Sequence, residues 1–273
     1  MSKIETCSIF NARSGKCSED CQWCAQSKFS KCDVDSYPIA EHKKMVDEGL
    51  LNDSLKIDRY SLVTSGRSLS LKYTKEICSV YRELKENSNL KLCASCGLMD
   101  RERLSMLYDA GVSRYHCNIE TSPRMFPKLV SSHTMKDKIE TIKIAQSLGM
   151  SVCSGGIIGM GETMNDRKEM ANILYDLQVD SIPLNLLMRI KGTPLVENSS
   201  LAGVFTDDEL LETFQMFIET NPQAKVRLCA GRARVQHLLP KLFDMGLKAI
   251  MTGNFLTIKG FSKKEDMKML LSM

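Results

Sequence analysis

Eight short apolar runs, separated almost throughout by amphipathic stretches, constrain this 273-residue chain more than any other feature. The runs lie at 5–10, 58–63, 91–95, 113–118, 150–156, 181–186, 225–229 and 248–252. Between them the apolar period changes to that of a helix. In 163–178, Met170, Ile173, Leu174 and Leu177 recur at i, i+3, i+4 and i+7 and form one stripe. In 134–148, Met135, Ile139, Ile142 and Ala145 share a side, and Gly149 supplies a stop, as Gly111 and Gly246 do for other helices. Eight β–α units predict a parallel (β/α)8 TIM-type barrel, with a doubly wound open sheet as the alternative. No linker or low-complexity segment interrupts the pattern. One domain is therefore expected over 1–273, with a loop at 11–37, the barrel over 5–258 and a C-terminal helix at about 262–273. In such a barrel the functional residues gather at the C-terminal ends of the strands.

The chain is 43% hydrophobic, enough for a large core, and its net charge of +4 is too mild to imply a nucleic-acid or membrane partner. No run reaches the roughly 18 apolar residues of a membrane helix. The start of the chain has no signal-peptide pattern, so a cytoplasmic protein is expected. Eleven cysteines, odd in number and unevenly spaced, argue for metal or cluster ligation over a disulfide framework. Cys7, in a strand, and Cys78, in a helix, are expected to be buried core thiols, while the role of Cys32 is open.

Cys17-x3-Cys21-x2-Cys24 follows the first apolar run, where a barrel would carry function. Three thiolates can hold a [4Fe–4S] cluster with one iron left open for chemistry. A zinc site completed by Cys32 or His42, or a disulfide, is the competing reading of the spacing alone.

Trp23, the only tryptophan, stands just before Cys24, and the triplet then resembles the radical S-adenosylmethionine (SAM) motif. Four further segments resemble biotin synthases: Tyr115–Ser122, Cys153–Thr163, Pro183–Leu195 and Val226–Arg232. The resemblance runs in register from about residue 7 to residue 258. It implies sulfur insertion between two unactivated carbons of dethiobiotin. The reduced [4Fe–4S] cluster would cleave SAM to a 5′-deoxyadenosyl radical, and an auxiliary Fe–S cluster would give up sulfur. The cofactors carry such chemistry and the protein positions them. A homodimer and a flavodoxin or ferredoxin electron donor are implied as well. The alternatives are a related radical SAM enzyme with another small-molecule substrate and a non-catalytic Fe–S carrier.

By the same resemblance, the SAM side comprises Trp23, Thr64, Ser65, Gly66, Asn118, Glu120, Lys138, Gly155, Ile157, Gly159 and Glu162. Lys138 replaces an arginine, which keeps the charge and loses bidentate geometry. His116, Asn118 and Asn185 fall at substrate-binding positions, with His116 replacing an asparagine. The auxiliary site departs from the family. Its usual [2Fe–2S] cluster has three cysteines and one arginine; Cys93, Cys153 and Arg227 match, but Ser61 stands where the remaining cysteine belongs. Cys229, two residues beyond Arg227, and Cys96 are the expected substitutes, in a set that suits a larger four-iron cluster. Cys117 is expected to face outward, and His133 and His237 to be ordinary surface or core residues.

Overall fold

The computed structural model describes residues 3–15, 17–199 and 203–272. Nine parallel strands form one sheet: β1 (Glu5–Arg13), β2 (Arg59–Thr64), β3 (Lys91–Ser95), β4 (Arg114–His116), β5 (Ser151–Cys153), β6 (Gly156–Ile158), β7 (Ser181–Leu186), β8 (Lys225–Leu228) and β9 (Ala249–Met251). The order β5-β4-β3-β2-β1-β9-β8-β7-β6, with β5 also paired to β7, closes the sheet on itself. The barrel is thus the expected one, and the open sheet is excluded. The expected strand at 150–156 is a single stave broken into β5 and β6 at Ser154 and Gly155. The break sits where the backbone crowds its neighbour: a Cβ on Gly155 would lie 2.1 Å from the Pro183 carbonyl oxygen.

Helices fill the connections, and several of the longer ones begin on a residue whose side chain satisfies a free amide. Thr134 caps Met135–Ser147 and Thr163 caps Met164–Asp176, each in a reciprocal capping box with the aspartate three residues on. Ser70, Asp100 and Ser262 cap Leu71–Asn87, Arg101–Asp109 and Lys263–Leu271. Outward strand residues such as Tyr60, Leu62, Tyr115, Ile182, Leu184 and Leu228 are buried under these helices in one apolar cluster. The C-terminal helix is tied down by Arg232, which is buried, pairs with Asp266 at 2.5 Å and stacks 4.0 Å from the Phe261 ring.

Inside the barrel the chemistry reverses. The Glu5 carboxylate lies 2.8 Å from Arg227, 3.2 Å from Arg59, 3.3 Å from Arg114 and 3.0 Å from Lys225. Burial works against its charge, yet these cations hold its pKa down to about 2. The three arginines and Glu5 are all buried. One carboxylate against three guanidiniums leaves the barrel floor with an excess of positive charge.

Two substitutions test this architecture. Glu5→Gln removes the carboxylate that pairs with the floor cations and should lower the unfolding free energy by about 3–5 kcal/mol, read from urea denaturation of the metal-free chain. Gly155→Ala forces a methyl group into the Pro183 carbonyl. It should cost at least about 1–3 kcal/mol and lower the melting temperature by several degrees; an unchanged melting curve would contradict the tight β5–β7 contact.

Candidate functional site

A cavity of 450 Å³ opens at the C-terminal end of the barrel. Its mouth is roofed by the loop after β1, which carries the three-cysteine motif, and its depth is set by inward strand residues. Cys17, Cys21 and Cys24 all line it. The loop is anchored at several points. The Gln22 amide donates to the Leu129 carbonyl, the Leu195 amide donates to the Gln22 carbonyl, and the Gln26 side chain accepts from the Gly15 amide. Burial, together with the neighbouring Cys24, pushes the Cys21 thiol far above its ordinary pKa; burial and Cys17 push Cys24 to about 11. Trp23 packs beside Cys21 against an apolar cluster of Met125, Phe126 and Leu129. Cys32 lies at the edge, with its thiol 3.2 Å from the Lys191 carbonyl.

Between mouth and floor stand the residues expected on the SAM side. Thr64, Ser65, Gly66, Asn118, Glu120, Lys138 and Ile157 line the cavity. Asn118 and Glu120 do meet, Nδ2 to Oε2 at 3.3 Å, but not as alternate residues of a strand, because β4 ends at His116. Glu120 has a φ of 71°, a left-handed backbone rare for a side chain of its kind. The backbone turns there because the Ile157 amide donates to the Glu120 carbonyl while the Glu120 amide donates to the Gly155 carbonyl. Gly156 leaves room for that exchange: a Cβ on it would lie 2.4 Å from the Glu120 oxygen. Lys138 is no solvated helix residue. It is half-buried in the cavity, 3.5 Å from the Glu120 carboxylate, which raises its pKa although desolvation opposes the charge.

Three expected SAM-side residues lie behind the residues that line the cavity. Gly155, Gly159 and Glu162 do not line it. The Glu162 carboxylate accepts from the Gly159 and Met160 amides and from Arg167, so both of its oxygens are committed. The sequence pattern marks a tight turn that places Ile157. Sequence reasoning also missed a pair at the mouth. Glu19 and His133, both buried, lie 2.6 Å apart and tie the cysteine loop to the approach of the helix Met135–Ser147. Burial and the nearby Lys138 ammonium hold His133 toward its neutral form, against Glu19. His237 is exposed and pairs with Asp207, an ordinary surface contact.

Deeper in the cavity, Ser61, Cys93, His116, Cys153, Asn185, Arg227 and Cys229 face inward. The Asn185 side chain bridges staves, donating to the Gly156 carbonyl and accepting from the Ala230 amide. An Arg59 guanidinium nitrogen lies 3.7 Å from the Cys93 sulfur. Burial raises the Cys153 thiol, but His116, Arg227 and Arg114 outweigh it and bring the pKa down to about 6. Two expectations are corrected here. Cys96 is not in the cavity. Three residues beyond inward-facing Cys93 it points to the opposite face, where it is fully buried in the apolar layer beneath the helix Leu71–Asn87. Cys7 is not a core thiol. It lies inward on β1 and lines the cavity with Cys93, Cys153 and Cys229. Cys78 is a core thiol as expected; Cys117, expected to face outward, packs in the same apolar cluster with its sulfur 3.9 Å from the Lys138 carbonyl but also lines the cavity. Among the described residues, no three His, Cys, Asp or Glu side chains draw together to hold a single metal ion.

Residues 12–174 match the radical SAM superfamily, and residues 183–273 match the biotin and thiamin synthesis associated domain. Both stretches contribute staves to the one barrel. Curated relatives agree over nearly the full chain. The biotin synthase of Porphyromonas gingivalis is 42% identical over 98% of this chain and 80% of its own length. That of Alkaliphilus metalliredigens is 44% identical over 99% and 84%, and that of Parabacteroides distasonis 45% over 97% and 80%. Solved structures share the fold. Methylornithine synthase superposes with a TM-score of 0.74 at 14% identity, covering 91% of this chain and 72% of that one. The FeFe-hydrogenase maturase HydG of Carboxydothermus hydrogenoformans gives 0.78 at 13%, covering 99% and 66%. With a radical SAM motif at the mouth of a (β/α)8 cavity and relatives of one kind along its length, the chain belongs to the biotin synthase family.

Proposed function

We propose that this chain converts dethiobiotin to biotin by radical SAM chemistry, with sulfur drawn from an auxiliary Fe–S cluster held inside the barrel. The observation that carries the reading is the placement of two separate sets of thiols on one cavity. Cys17, Cys21 and Cys24 line its mouth, Cys93, Cys153 and Cys229 line its depth, and polar side chains lie between. The donor set fits the groups it would hold. Thiols are the ligands that iron–sulfur clusters take, and the cationic floor calls for anions above it. When bound, the [4Fe–4S] cluster and SAM supply a 5′-deoxyadenosyl radical, and the auxiliary cluster supplies sulfur.

The chain's own residues bind, orient and exclude water. Lys138 and Glu120 form a half-buried pair of opposite charge that matches the carboxylate and hydroxyl or amino groups of SAM. Trp23, Ile157, Leu187, Met251 and Ile258 give the cavity apolar walls, which keep water from a reactive radical. His116 on β4 and Asn185 on β7, with the broken stave β5/β6 between them, offer hydrogen bonds to the substrate ring. The protein's electron donor would be a flavodoxin or ferredoxin, and the working form a homodimer. No helix among the described residues is long and apolar enough to cross a membrane.

Reconstituted protein given SAM, a reductant and dethiobiotin without oxygen should form 5′-deoxyadenosine and biotin together, measured by mass spectrometry. 5′-Deoxyadenosine without biotin would mean that the radical machinery works but the substrate or the sulfur donor differs. Cys21→Ala should abolish 5′-deoxyadenosine formation, and Cys78→Ala should change neither product. Lys138→Met should raise the KM for SAM roughly 10- to 100-fold, the value of a charge-assisted contact; an unchanged KM would remove Lys138 from the SAM site.

A further inference from the structure

The strand registers sort the barrel interior into levels. From Cys7 the ladder crosses to Arg59 and then Lys91, and two residues farther along β3 is Cys93. From Cys93 it crosses to Arg114 and Ser151, and two residues on is Cys153. From Cys153 it crosses to Ser181 and Lys225, and two residues on is Arg227. From Arg227 it crosses to Ala249 and Glu5, and two residues on is Cys7 again. The four steps of two residues match the stagger of eight that such barrels carry, in which each level takes four side chains from alternate staves. Cys7, Cys93, Cys153 and Arg227 therefore form one closed level. Cys229, two residues beyond Arg227, faces the level nearer the mouth.

A level of this kind is ordinarily packed with bulky branched side chains. Here three small thiols and one guanidinium leave it hollow, directly above the cationic floor. Ser61, where a family ligand would stand, is buried with its hydroxyl lacking any hydrogen-bond partner. The thiol missing there has a counterpart on the adjacent stave, since Cys7 pairs in register with Arg59, two residues before Ser61. Cys7 is 7% exposed and lies outside the apolar cluster that holds Cys78 and Cys96.

We propose that Cys7 is a ligand of the auxiliary iron–sulfur cluster, in one barrel level with Cys93, Cys153 and Arg227, and takes the place vacated at Ser61. The three cysteines bind as thiolates and release their protons to solvent. This rests on the auxiliary-cluster reading above and names the ligand that the Ser61 exchange leaves wanting.

The test uses the full chain with Cys17→Ala, Cys21→Ala and Cys24→Ala, so that only the deep site can be loaded. After anaerobic reconstitution with ferrous iron and sulfide, iron per chain and the Mössbauer spectrum are measured. The parent should hold a cluster; Cys7→Ser should lose most of that iron, Cys96→Ser should keep it, and Cys7→Ser with Ser61→Cys should regain it. Circular dichroism and melting of the metal-free proteins check the fold, and the double variant carries the test if Cys7→Ser does not fold. Undiminished iron with an unchanged spectrum in Cys7→Ser overturns the proposal, as does a folded double variant that binds no more iron than the single one. A parent chain that takes up no iron at the deep site overturns the auxiliary-cluster reading itself, and this ligand assignment with it.

Discussion

The Glu5 carboxylate at the floor of the barrel is the contact on which the rest of the interior depends. It draws Arg59, Arg114 and Arg227 from separate staves to one point, and in doing so fixes which face of each strand turns inward. Once those residues are inside, alternation puts Cys7, Ser61, His116 and Cys229 inside as well, and the register of β3 on β2 and of β5 on β4 does the same for Cys93 and Cys153. One carboxylate does not neutralise three buried guanidiniums, and uncompensated buried charge is costly. The balance has to come from anions higher in the barrel. The Arg59 contact to the Cys93 sulfur and the depressed pKa of Cys153 both reflect that field. A barrel floor of this kind is poorly built for an apolar core and well built to sit beneath thiolates.

The cavity above has two chemically different halves. The lower half is made of strand residues whose positions are set by the barrel ladder, so its geometry is rigid. The upper half is made of loops, and each is pinned by its own device. The cysteine loop is held by backbone contacts and by the Glu19–His133 pair. The Glu162 carboxylate gathers two amides of the loop after β6. Glu120 is held in a left-handed backbone by a two-way exchange with the broken stave. The break between β5 and β6 and the strain at Glu120 are one feature seen from two strands. Together they aim a carboxylate at Lys138 in the middle of the cavity.

Much of this was readable in the chain. All eight strand positions, the helices at Met135–Ser147 and Met164–Asp176 and the C-terminal helix follow from period and caps, which are local properties. The three-cysteine loop could be placed because its ligands are close in sequence. Errors came where the decisive neighbour is remote. Cys7 looked like a core thiol because one strand alone does not reveal which face is hollow. Cys96 looked like a ligand because it is near Cys93 in sequence, although it is turned away in space. Glu162 looked like a cavity residue because its glycine-rich context is shared by turns and binding loops alike. Nothing local marked Glu19 and His133, which are 114 positions apart.

The sequence by itself determined the alternation of strands and helices and the family that its motifs resemble, while closure of the sheet against the open alternative came from the structure. The first two depend on apolar period, capping residues and short ligand spacing, all written within a few residues of one another. Tertiary structure alone decided which thiols share a level. That depends on the stagger of the closed sheet, which brings Cys7, Cys93, Cys153 and Arg227 together from four staves. Register around a barrel is a property of the whole ring, so no single segment can encode it.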